Sequence, residues 1–203
     1  MKPSRSDITG VVLAGGRGRR MGGVDKGLMP FRGQPLALWA LHALEGIADT
    51  VLISANRHRE VYETLGYPVI ADLTDSFDGP LAGVLSAMRS AETAYVMVVP
   101  CDSPGLTAEL LTRLLAALGA AGTNIAVADD GQRLHTVVML AESRLADDLE
   151  AYLMRGNRRV DAWVKMHAWV AADFSDCPEV LLNINTPEEM SSLQGGYLHP
   201  MAD

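Results

Sequence analysis

Apolar residues fall in short continuous blocks along the chain, each followed by a segment with helical spacing. Ile8–Leu13 is the first block, and Thr50–Ala55, Tyr67–Ala71 and Tyr95–Val99 follow it. Continuous rather than alternating hydrophobicity is the pattern of strands covered on both faces. Between the blocks, Leu36, Trp39, Ala40, Ala43, Leu44 and Ile47 form one helical stripe within Pro35–Ile47. His58–Leu65 reads as a short helix that Gly66 can stop. Gly79-Pro80 opens a helix running to about Ala91, where the missing proline N–H costs no hydrogen bond. Thr107–Leu118 is amphipathic at the same period.

The rhythm then changes. Asn124–Val127 and Leu134–Leu140 read as strands flanking Asp129-Asp130-Gly131, a hairpin turn. Helices are expected over Ser143–Met154 and Arg158–Met166, and strands over Trp169–Phe174 and Val180–Ile184. Thr186, Pro187 and Glu189 have the spacing of a capped helix start. Strand–helix–strand order implies right-handed crossovers and a parallel sheet, and the hairpin adds an antiparallel part. The expected fold is a three-layer, Rossmann-like α/β domain covering residues 1–203. Its central sheet is mostly parallel, and residues 1–7 and 195–203 are frayed.

The first strand runs into Ala14 and then into glycines at 15, 16, 18, 22 and 23, with Arg17, Arg19, Arg20 and Lys26 among them. Glycine lets a ligand approach main-chain N–H groups, and successive N–H groups form an anion-binding concavity. Arginine and lysine neutralise phosphate charge. A phosphate cradle at the carboxyl edge of a sheet fits better than a flexible basic surface loop. It is neither of two familiar cradles. Lys26 is preceded by Asp25 and followed by Gly27, not by Ser or Thr, as a Walker loop requires. Met21 stands where a dinucleotide fingerprint needs its third glycine.

Leu13-Ala14-Gly15-Gly16, Arg20-Met21-Gly22 and Asp25-Lys26 together resemble the signature of nucleotidyltransferases that consume a nucleoside triphosphate and release pyrophosphate. The run Gly15-Gly16-x-x-x-Arg20-Met21-Gly22-Gly23-x-Asp25-Lys26-Gly27 is most similar to the molybdenum cofactor guanylyltransferases. Sugar-1-phosphate relatives usually carry a longer insert before the lysine, and cytidylyl relatives tend to have Ala-Ala-Gly where this chain has Ala14-Gly15-Gly16.

Composition narrows the picture. Between Arg17 and Arg32 there are five cations and one acid, a local charge of +4 in a chain of net −8, which leaves −12 elsewhere. That balance suits a small anionic ligand and argues against a nucleic-acid coat. No apolar run is long enough to span a membrane, and residues 1–7 lack a signal-peptide core. Two cysteines, Cys101 and Cys177, form neither a disulfide framework nor a zinc pattern, so a reducing cytoplasm is expected.

Ligands of open α/β sheets bind beyond the strands' carboxyl ends. The candidates there are the loop after Leu13, Asn56, Asp72, Asp102, and Asn183 with Asn185. Asp102 sits between Pro100 and Pro104, a carboxylate suited to Mg²⁺ or to capping a turn. The resemblance implies the metal role. It also implies that Asn56 and Asp72 face the guanine of GTP, with the main chain of Leu13, Ala14, Gly15 and Gly16 beneath the ring. Each of that pair also fits a plain turn. Gly79 and Gly83 admit either a ligand at the helix start or tight packing of helix on sheet. Asn183-x-Asn185-Thr186-Pro187 resembles the family's late motif. It orients a metal-bound water or touches the acceptor. Arg155, Arg158 and Arg159, Arg159 foremost, are either acceptor-phosphate ligands or a solvated helix junction.

The reaction implied by the resemblance is attack of the terminal phosphate of molybdopterin, with or without molybdenum, on the α-phosphorus of GTP. Arg20 and Lys26 hold the triphosphate and Asp102 holds Mg²⁺. An ionised phosphate needs no general base, consistent with the lack of a Ser/His/Asp arrangement. Transient contact with molybdenum insertion proteins and target molybdoenzymes follows from the same resemblance. Competing readings are transfer from CTP or to a sugar 1-phosphate, a non-catalytic GTP-binding protein, and a dinucleotide-dependent oxidoreductase.

Overall fold

The structure is a computed structural model that describes residues 3–14, 25–73 and 79–184. In chain order the strands are β1 (Ile8–Leu13), β2 (Pro30–Phe31), β3 (Gln34–Pro35), β4 (Thr50–Ser54), β5 (Val69–Ile70), β6 (Tyr95–Pro100), β7 (Ile125–Asp129), β8 (Leu134–Glu142) and β9 (Trp169–Asp173). The helices are α1 (Leu36–Glu45), α2 (Arg59–Glu63), α3 (Pro80–Ser90), α4 (Ala108–Ala121), α5 (Ala146–Met154) and α6 (Val160–Val164).

Seven strands form one sheet in the order β5-β4-β1-β6-β8-β7-β9. β1 pairs in parallel with β4 and β6, and β4 with β5. β8 is antiparallel to both neighbours, and β9 is parallel to β7, so within this sheet β8 alone runs the other way. The mostly parallel sheet with an antiparallel part is therefore the observed architecture. All strands but β8 present their carboxyl ends at one edge.

The apolar blocks are continuous because helices cover both faces. Along β1 and β6, Ile8, Val12, Met97 and Val99 enter the core shared with α1 and α4. The alternate residues Val11, Val96 and Val98 enter the core shared with α3, α5 and α6. Gly10 leaves room for α1: a Cβ there would lie 3.0 Å from that of Leu44.

Several expected boundaries move. The strand expected at Val180–Ile184 is a 3₁₀ turn, Pro178–Leu181, followed by extended backbone. Pro178 fixes the first helical dihedral, and the segment is not among the paired strands of the described residues. The third strand shrinks from Tyr67–Ala71 to Val69–Ile70, and the helix expected at Arg158–Met166 to Val160–Val164. Where a frayed start is expected, Arg5–Asp7 forms a 3₁₀ turn, with Ser4 N–H donating to Asp7 Oδ2 at 2.9 Å. The expected helix start at Thr186 and the tail 195–203 lie outside the described residues.

The hairpin β2–β3 is an addition. Its two central residues, Arg32 and Gly33, both have positive φ (49° and 86°), as a type I′ turn requires. Phe31 packs edge-on against Trp39 and shares a small core with Leu36 and Ile184. The hairpin thereby anchors the chain just after Lys26 and the extended segment just before Asn185.

Candidate active site

Three parallel strands deliver the site. Cys101 N–H donates to Leu13 O at 3.0 Å and Ala14 N–H to Ser54 O at 2.8 Å, so β6, β1 and β4 end level with one another. The residues that leave these ends converge. Lys26 Nζ lies 3.2 Å from Asp102 Oδ2, with the two side chains 25% and 13% exposed. An ion pair this sheltered is screened far less than a surface pair. Asp102 Oδ1 is buried and accepts no hydrogen bond among the described residues. A buried carboxylate oxygen without a donor is costly unless something else satisfies it.

Asp102 is held from both sides. Its carbonyl accepts from Ile184 N–H at 2.8 Å, and the neighbouring Ser103 Oγ–H donates to Asn183 Oδ1 at 3.1 Å. The late Asn-x-Asn segment is thus laced to the aspartate loop, 80 residues away in sequence. Cys101 is buried, and burial, then the carboxylates of Asp102 and Asp25, push its thiol well above the ordinary range against the opposing pull of Lys26. It is a neutral packing residue, not a nucleophile.

At the ends of β4 and β5, Asn56 and Asp72 form a reciprocal pair. Asn56 Nδ2–H donates to Asp72 Oδ2 at 2.6 Å, and Asp72 N–H donates to Asn56 Oδ1 at 2.8 Å. Both are half-buried at the carboxyl edge. Gly79 caps α3 with φ 78°, a conformation that favours glycine, while a Cβ there would meet nothing. Gly83 is different: a Cβ there would lie 2.6 Å from Ser54 Oγ and 2.9 Å from Leu13 Cδ2. Tight packing of α3 on the strand ends is its role.

Among the remaining candidates, Leu13 and Ala14 lie at the edge, half-exposed. Gly15, Gly16, Arg20 and Asn185 lie outside the described residues. Arg159 is exposed at the start of α6, where its guanidinium is bonded to Asp161 at 2.7 Å. Asp161 in turn lines a cavity of about 570 Å³ with Asp129, Arg133, Thr136 and Lys165. This cavity lies beyond β6 at the carboxyl end of β7. The described residues contain no group of three or more His, Cys, Asp or Glu side chains placed to hold a metal ion, nor any helix long and apolar enough to cross a membrane.

Sequence reasoning overlooked Tyr62 and Ser103, and quoted Asp25 only as part of the signature, with no role of its own. Tyr62 is the one buried residue of α2, whose other members are exposed. A lone aromatic in a short charged helix was the available signal.

Comparison with known proteins shows the family and the fold. Residues 10–172 match the family described as the MobA-like NTP transferase domain. The chain belongs to that family. It is therefore a nucleotidyltransferase. A protein of Shewanella piezotolerans named molybdenum cofactor guanylyltransferase is 43% identical over 186 residues, covering 92% of this chain and 91% of the relative. One of the same name from Ralstonia nicotianae is 45% identical over 197 residues, covering 93% and 96%. The fold matches that of molybdopterin-guanine dinucleotide biosynthesis protein A from Archaeoglobus fulgidus with a TM-score of 0.76 at 21% identity, over 92% of this chain and 97% of that one.

Proposed function

We propose that this enzyme transfers GMP from GTP to the terminal phosphate of molybdopterin, with or without bound molybdenum, in the cytoplasm. An acceptor phosphate oxygen forms a bond to the α-phosphorus, the bond from that phosphorus to the bridging α–β oxygen breaks, and pyrophosphate leaves. The product is the guanine dinucleotide form of the cofactor.

The observation that carries this reading is the sheltered meeting of Lys26 with Asp102 at the end of the central strand. It supports a site where a cation faces phosphate oxygens beside a carboxylate able to hold a hard metal. Asp102 Oδ1, buried and without a donor among the described residues, fits Mg²⁺, which is commonly held by one or two carboxylates together with substrate phosphates and water. When bound, the ion would neutralise charge on the triphosphate. Lys26, with Arg20 from the glycine-rich loop, would stabilise the charge that builds as the α–β bond breaks. An acceptor phosphate monoester, with a second pKa of about 6, is already largely a dianion at neutral pH. Positioning and electrostatics therefore suffice, as in other phosphoryl-group chemistry. Asn56 and Asp72 supply carbonyl and carboxylate oxygens for the guanine N–H groups. Asn183, Asn185 and Arg159 would meet the acceptor, which would extend past β6 toward the cavity at β7. Hand-over of substrate and product would involve transient contact with molybdenum insertion proteins and target molybdoenzymes.

The test is pyrophosphate release by the pure protein with molybdopterin, Mg²⁺ and each of the four nucleoside triphosphates. Release with GTP alone, dependent on both acceptor and metal, is expected. Preference for CTP would establish a cytidylyl enzyme, and tight GTP binding without release would establish a non-catalytic GTP-binding protein. Either result would reject the reading.

A further inference from the structure

We infer that Tyr62 and Asp25 are positioning residues that set Lys26 against Asp102. The inference rests on the reading of Lys26 as the cation that meets the triphosphate. Asp25 is buried, an unusual place for a carboxylate. Its Oδ1 accepts from the Tyr62 hydroxyl at 2.6 Å and from Gly27 N–H at 3.3 Å, which caps the 3₁₀ turn Lys26–Leu28. Its Oδ2 is buried and accepts no hydrogen bond among the described residues. The Tyr62 hydroxyl is thus the short, strong bond that keeps this carboxylate inside.

The packing has the same sense. Tyr62 is fully buried although α2 has only five residues. Its hydroxyl occupies the space where a Cβ on Gly27 would fall, and the Cys101 side chain lies 3.4 Å from that point. The lysine turn is therefore wedged between α2 and the end of β6, with no room for a side chain at its middle residue. Lys26 is placed by the contacts of its turn in addition to the contact of its ammonium group with Asp102. α2 in turn begins shortly after Asn56, beyond Arg57 and His58, and His58 O accepts from both Val61 N–H and Tyr62 N–H. The clamp consequently ties the end of β4, where the base is read, to the lysine that meets the phosphates.

Tyr62→Phe removes only the hydroxyl. We expect folded protein whose kcat for pyrophosphate release falls about 10- to 100-fold, the scale of a catalytic group displaced by about an ångström. KM for GTP should change less than about threefold, because the loss falls on the transition state. In a Lys26→Ala background the same change should cost nothing further, since a residue acting only through Lys26 has nothing left to place. A general loss of stability would lower both backgrounds alike. A second readout needs no turnover. The chain has three lysines, Lys2, Lys26 and Lys165, so reductive ¹³C-methylation gives a lysine spectrum simple enough to assign. The Lys26 signal should shift or broaden in Tyr62→Phe, and likewise in Asp25→Asn, which keeps the shape and removes the charge. An unmoved Lys26 signal in both variants, or equal losses of kcat with and without Lys26, would overturn the inference. A wild-type protein that releases no pyrophosphate would instead defeat the proposed function, and the lysine spectrum would still decide the positioning.

Discussion

Gly83→Ala tests how the strand ends that form the nucleotide edge are supported. The added Cβ would meet Ser54 Oγ at 2.6 Å and Leu13 Cδ2 at 2.9 Å, both below the 3.0 Å that real Cβ atoms keep. The hydroxyl belongs to a buried serine on β4, so either it or α3 must retreat by about 0.8 Å to reach ordinary contact. Overpacking of this kind costs about 1–3 kcal/mol, and the helix propensity of alanine over glycine returns about 1 kcal/mol. The net loss is then up to about 2 kcal/mol. A chain of this size loses about 2–4 °C of Tm per kcal/mol, so a fall of up to about 8 °C is expected in a thermal melt. KM for GTP should rise as well, because the clash pushes on Leu13, next to the main chain assigned to the base. Ser54→Ala in the same chain removes the nearer clash and leaves the Ser54 Cβ at an ordinary 3.5 Å. The double variant should therefore melt above Gly83→Ala alone. A Gly83→Ala protein more stable than its parent, or one that Ser54→Ala fails to rescue, would show that α3 is not seated on these strand ends as described.

Lys26→Ala and Asp102→Asn should each lose at least ~100-fold in pyrophosphate release, the scale of a lost electrostatic contact in a sheltered site. Near-normal turnover in both would remove their assigned roles. Asp72→Asn and Asn56→Ala break a reciprocal pair at the base end and should raise KM for GTP by ~10-fold or more, with weaker discrimination against ATP. Unchanged nucleotide selectivity would place guanine elsewhere. At the β7–β8 turn, the Asp130 carboxyl is held down at about 2 by the His135 side chain first, then by the N–H groups of Arg133 and Gln132. Its folded value lies below the ordinary 3.8, so its contribution to stability is full above about pH 4 and disappears as pH falls through about 2. A carboxyl ¹³C titration of His135→Gln should show the Asp130 midpoint moving up toward the ordinary range, and an unmoved midpoint would refute the assignment.

Much of this molecule is written in short-range pattern. The apolar blocks that became β1, β4 and β6 are buried on both faces, so continuous hydrophobicity identified them without knowledge of partners, while the block around β5 is only half-buried. The β7–β8 hairpin was legible from Asp129-Asp130-Gly131. Asp102 stood out because a carboxylate directly follows the most apolar strand. The misread segments have local reasons. Val180–Ile184 has strand-like residues, but Pro178 starts a 3₁₀ turn and the segment pairs with no strand among the described residues. The β2–β3 hairpin turns on Arg32-Gly33, not on the Asn-Gly or Asp-Gly that announces a type I′ turn, and its two-residue strands carry no period.

By itself, then, the sequence determined which segments are buried strands and helices, which polar residues stand at the strands' carboxyl ends, and the family signature from Leu13 to Lys26. Tertiary structure alone decided the pairings: Lys26 with Asp102, Asn56 with Asp72, Ser103 with Asn183, and Tyr62 with Asp25. It also decided that Gly83 is packing and that Arg159 pairs with Asp161. The physical reason is that periodicity reports how each residue meets solvent, a property of its own segment. A hydrogen bond or a clash is a property of two segments, and their meeting is fixed only when the sheet assembles.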